Sequence, residues 1–97
     1  MPLYVALASW TDQGAKNVKD TIKRADAFVD AATKMGCKVR EILYTMGPHD
    51  VVTVIEAPND EAASRLTLAV GMQGSVRTLS MRAYTKDEMA KIIATLP

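Results

Sequence analysis

The 97-residue sequence is short of most of the residues on which chemistry is usually built. It has one cysteine, Cys37, so no internal disulfide can form and the fold must stand on its core, as expected of a protein in the reducing cytoplasm. It has one histidine, His49, and one His with one Cys falls short of the three or four ligands a metal site needs. Gly71-Met72-Gln73-Gly74 lacks the lysine and the preceding strand of a phosphate loop and reads as a helix end. We therefore expect no metal and no cofactor. Twelve basic residues face eleven acidic ones, for a formal net charge of +1, and no basic stripe interleaved with aromatics is present, which argues against a nucleic-acid partner. The run Leu3–Trp10 is too short to cross a bilayer and has no basic start or cleavage signature, so no membrane association is expected. No repeat, biased segment or linker divides the chain, and residues 1–97 are expected to form one domain.

What is present is apolar and periodic. Hydrophobic residues make up 48% of the chain, enough for one core. Leu3–Trp10 reads as a buried strand, broken by Thr11-Asp12-Gln13-Gly14. Ile22, Ala25, Val29 and Ala32, with Phe28 and Met35 beside them, predict a helix with Thr21 at its N-cap and Gly36 beyond its end. Cys37–Met46 and Asp50–Ala57 are two further strands, rich in Val, Ile, Thr and Tyr. Asn59 caps a helix that buries Ala62, Leu66, Ala69 and Val70; Leu68 and Met72 are read as packing residues too. Ser75–Tyr84 is a fourth strand, and Thr85-Lys86-Asp87-Glu88 is a capping box before a short helix through Met89, Ile92, Ile93 and Leu96. The order βαββαβ plus a terminal helix predicts an α+β, ferredoxin-like fold with both long helices on one sheet face.

Alternation sends half of each strand to each face. We assign the aliphatic sets to the helices: Leu3, Val5 and Leu7; Val39 and Leu43; Val52 and Val54; Leu79 and Met81. Glu41 and Arg77 fit that assignment only with a bulge or a strand end. The opposite face then collects Tyr4, Trp10, Ile42, Tyr44, Val51, Ile55 and Tyr84, with Arg40, Thr53, Ser80 and Arg82 among them. Such a face covers on the order of 400 Å², as much apolar surface as a monomer usually leaves bare. A homodimer or higher homo-oligomer packed sheet to sheet is expected to cover it, with a small-molecule cavity where the sheets diverge. Trp10, Tyr44, His49 and Arg82 are the ligand-binding candidates.

The hairpin Gly47-Pro48-His49-Asp50 carries the lone histidine. Gly47 supplies a positive φ, Pro48 fixes its own near −65°, and Asp50 can accept from a backbone N–H. These needs are structural. His49 and Asp50 are neighbours at a strand entrance, where side chains point apart, so His49 is a weak candidate for a catalytic base.

GPHDVVTVIEAPNDEAASRL, followed by GSVRTLSMRAYTKDEM, resembles the GYD domain family, in which a Gly-x-Tyr-Asp hairpin leads into a strand ending Glu-Ala-Pro. WTDQGAKNVKDT and KRADAF are similar to the family's first loop and helix. The family's tyrosine is His49 here, while Gly47 and Asp50 are kept. The resemblance implies a dimeric α/β barrel of uncharacterised activity and brings no catalytic residues with it. A fainter similarity, to the effector domain of leucine-responsive transcriptional regulators, implies metabolite sensing between subunits, without their DNA-binding helices. The function expected is a ligand-binding or regulatory module. The alternatives are a cofactor-free oxygenase or isomerase and a structural interaction protein.

Overall fold

Antiparallel pairing joins β1 (Leu3–Trp10), β2 (Lys38–Tyr44), β3 (Val51–Glu56) and β4 (Val76–Ala83) into one sheet in the order β2–β3–β1–β4. The structure, a computed structural model, describes residues 1–97. Two crossovers flank the β2–β3 hairpin: one runs through α1 (Asp12–Lys16), a 3-10 turn (Val18–Asp20) and α2 (Thr21–Lys34), the other through α3 (Asp60–Met72). α4 (Lys86–Ala94) follows β4. This is the expected α+β, ferredoxin-like arrangement.

Two helix starts are as the sequence predicts. Asn59 accepts from the N–H of Ala62 at 2.9 Å, and Thr85 and Glu88 exchange both bonds of a capping box at 3.1 and 2.9 Å. The hydrogen bond from the Thr85 N–H also holds the Glu88 carboxyl below its usual pKa. Thr21 is different. It is the first helical residue rather than the cap, and its hydroxyl donates back to the Val18 carbonyl at 2.5 Å. The short α1 escapes the sequence reading, which takes Thr11–Gly14 for a plain turn.

Except at Val39, the sheet faces are the reverse of those assigned from sequence. Tyr4, Ala8, Val51 and Ile55 are buried on the helix side, in or beside a core that includes Ala32 of α2 and Ala62, Ala63 and Leu66 of α3. The aliphatic set points away from the helices, leaving Leu43, Leu79 and Met81 51%, 62% and 47% exposed. A bulge between Val39 and Glu41 changes the phase of β2, so Val39 packs on the core while Glu41 and Leu43 face outward. α2 is turned as well: Ala25, Phe28 and Ala32 face the sheet, whereas Ile22 and Val29 are exposed, as are Leu68 and Met72 of α3. Small residues explain the inversion. Alanines on β1 and on both helices let the layers approach, and an alanine carries little hydrophobic weight in a pattern count.

Tyr4 anchors this core through its phenol, which donates to Asp60 Oδ1 at 2.5 Å. That bond, helped by burial and by the Asp60 charge, raises the Tyr4 pKa above its ordinary 10.0, with Arg82 opposing. The folded state therefore holds the proton more tightly than the unfolded chain. The resulting stabilisation is present below the ordinary value of 10.0 and is lost as pH rises through the raised one. Urea melts should show the native protein losing stability above pH 10.0 more steeply than Tyr4→Phe, and parallel alkaline limbs would contradict this.

Candidate functional site

The Thr11–Gly14 segment shapes one end of the space between the sheet and the helices. Thr11 donates its N–H to Ser75 O at 3.1 Å and its hydroxyl to Gly74 O at 2.5 Å; Gln13 Nε2 donates to Gln73 O at 3.2 Å. Gly14 is buried because the Ser75 carbonyl comes so close that a Cβ would lie 2.0 Å from its oxygen. Three donors of the segment are thus spent on residues 73–75, and the Gly14 N–H on Thr11 Oγ1, which makes the segment a structural clasp.

Beside this clasp lies a cavity of about 140 Å³. β1, β2 and β3 floor it with Ala6, Ala8, Ile42, Tyr44, Val51 and Thr53, and Trp10 stands at the clasp end. α2 and α3 roof it with Ala25, Phe28, Ala31, Ala69 and Val70. Six lining positions are alanine, and the neighbouring side chains do not fill the space a Leu or Ile would occupy there. One charged residue lines the cavity, Arg24, which is half-buried. It donates to the Asn17 carbonyl at 2.8 Å and to Thr21 Oγ1 at 3.3 Å, and it has no carboxylate partner.

The four ligand candidates do not converge. Trp10 and Tyr44 share the cavity wall. Both face the helices, so neither lines a space between two sheets. Arg82 lies over the Tyr84 ring at 4.5 Å, donates to the carbonyls of Leu3 and Ala83, and pairs with Glu88 at 3.8 Å. It ties the β4 end to α4. Arg40 lies exposed at the β2 bulge, apart from that group. His49 lies in the hairpin with Nδ1 buried and without a hydrogen-bond partner, and it does not reach the cavity.

In the hairpin, Gly47 has φ +112°, a value that suits glycine, and Pro48 follows it at the exposed tip. Thr45 N–H bonds to Asp50 O at 2.9 Å and Thr45 Oγ1 to His49 O at 2.6 Å, closing the loop. Asp50 Oδ2 accepts from the N–H of Trp10, forty residues away, at 2.9 Å, rather than closing a local turn. Burial pushes the Cys37 thiol pKa up, away from reactivity. Sequence reasoning missed Arg24; the available signal was a cation three and four residues from Thr21 and Phe28, on the stripe that includes Ala25.

No group of three or more His, Cys, Asp or Glu side chains is placed to hold a metal, and no helix is long and apolar enough to cross a membrane. Among known proteins, the chain is 30% identical over 97 residues to a protein of Thermus thermophilus named "Glutamine synthetase and cystathionine beta-lyase binding protein", with 99% of each chain covered. No solved structure matches it. The model of the GYD domain family matches residues 4–93, nearly the whole chain, and with the hairpin, clasp and capped helices in place the chain belongs to that family.

Proposed function

We propose that this chain is a small cytoplasmic interaction module that pairs with a second copy through the outer face of its sheet and binds other proteins, enzymes of amino-acid metabolism first among them. The observation that carries the reading is the bare outer face, where Leu43, Leu79 and Met81 flank the half-buried Leu3, Val5, Leu7, Val52 and Val54 with no helix over them. Only 12 of the 97 residues are buried in the single chain, which leaves much of its apolar content to be covered from outside. A sheet face of roughly 400 Å² falls short of the ~800 Å² each partner contributes to a stable complex. α4 can supply the difference: none of its residues is buried, and Met89, Ile92 and Ile93 form an uncovered apolar stripe. Ile22, Val29, Leu68 and Met72, exposed on the helix layer, remain available to a different protein when the sheets are paired. The Thermus relative's name, which records binding to two enzymes, supports that second step.

A cofactor-free enzyme finds less support. It needs a base in a dry pocket, and no Asp, Glu or His lines the cavity.

Light scattering should return a mass at least twice the 10.5 kDa of one chain, and the protein should co-elute with the glutamine synthetase or cystathionine beta-lyase of its own host. Leu79→Glu combined with Met81→Glu should bring the mass down to one chain with unchanged far-UV circular dichroism, because both side chains are already exposed in the isolated fold. A native protein of 10.5 kDa that retains neither enzyme would overturn the reading.

A further inference from the structure

We propose that the cavity between the sheet and the helices binds a small monocarboxylate with an aromatic or branched apolar tail, the carboxylate held by Arg24. The site is on the opposite side of the sheet from the outer face, so it stands whether or not two copies pair.

Size and chemistry of the walls set the tail. An apolar cavity of about 150 Å³ is enough to take a benzene ring, and this one is about 140 Å³ with 15 of its 22 lining residues hydrophobic. Phe28 and Trp10 offer aromatic surface to a ring, and the alanine walls leave room for it.

Charge sets the head group. Arg24 is the single ionised side chain on the wall. Of a guanidinium's five N–H donors, it spends two, on Asn17 O and Thr21 Oγ1. The rest can meet a carboxylate in the paired geometry that arginine favours. An amino acid is a poorer fit than its deaminated counterpart, because no Asp or Glu lines the cavity to receive an ammonium group.

Trp10, the one tryptophan in the chain, lines the cavity and reports on it. Titration of the native protein with phenylacetate should change its emission saturably, with Kd at or below about 1 mM. Phenylalanine and the neutral isostere 2-phenylethanol should bind at least about tenfold more weakly. Arg24→Gln should weaken phenylacetate by about tenfold or more and leave 2-phenylethanol unchanged. Ala69→Leu, which fills the roof, should abolish both. The proposal fails if phenylacetate gives no saturable change up to about 20 mM, or if Arg24→Gln binds it as tightly as the native chain. Should either variant lose its fold, the comparison of ligands on the native protein decides alone: equal affinities for phenylacetate and 2-phenylethanol overturn the carboxylate assignment.

Discussion

Gly14→Ala is expected to lower the free energy of unfolding by about 3 kcal/mol, the upper end of what overpacking costs. In an ordinary helix the same exchange adds about 0.8–1 kcal/mol of stability, since alanine loses less backbone entropy. Here the new Cβ would lie 2.0 Å from Ser75 O and 3.0 Å from its carbonyl carbon. Both atoms are backbone, so no side chain can swing aside. The 73–75 segment would have to withdraw, stretching the bonds from Thr11 to Ser75 O and Gly74 O that depend on the same approach. Gly71→Ala is the matched control: Gly71 lies in α3 with open space where its Cβ would go, and it should gain stability by about 0.5–1 kcal/mol. Denaturant melts of the two variants should shift in opposite directions. Parallel shifts would mean that the clasp yields easily and does not fix the Trp10 end of the cavity.

The clasp also marks where sequence reading ends. Strand order and crossovers were legible because each strand carries a β-branched or aromatic run bounded by strong turn-formers, and because Asn59 and the Thr85–Glu88 box announce helix starts in local chemistry. Which face of the sheet is covered was not legible. Both faces are apolar, and the side that packs on the helices is the one rich in alanine and polar residues: Ala6, Ala8, Thr53 and Thr78 line the cavity there. The larger aliphatics lie outside, and the bulge at Val39/Glu41 shifts β2 by one position. The misplaced charges were the available clue. Glu41 and Arg77 fit easily on a face away from the helices, and taking them at face value would have inverted the assignment correctly. The cavity was invisible for a related reason, since it is made by missing methylenes. Trp10 and Tyr44, ligand candidates by sequence, do stand together, but on the helix side of the sheet.

Asp50→Ala should cost about 2 kcal/mol, the sum of a lost charge-assisted hydrogen bond and a backbone N–H left without a partner. The reason is a mismatch of strand lengths. β1 pairs with β3 only from Leu3 to Ala8, yet runs on through Ser9 and Trp10, which pair with β4 alone. On the β3 side the Trp10 N–H meets no strand residue, and Asp50 Oδ2 takes that place at 2.9 Å. Its own N–H meanwhile donates to Ala8 O at 2.9 Å, so one residue both ends the ladder and extends it by a rung. Asp50→Asn keeps an acceptor without the charge and should recover about half of the loss, since neutral hydrogen bonds are roughly half as strong. Amide exchange at Trp10 should quicken in Asp50→Ala more than exchange at Tyr4, which lies within the fully paired part of β1. A Trp10 amide as protected as before, with stability within about 0.5 kcal/mol of the native chain, would show that the carboxylate is dispensable. The expected result instead makes Asp50 the link between the hairpin tip and the tryptophan at the cavity's end, so that disturbance of the Gly47-Pro48-His49 turn is felt at the site through one hydrogen bond.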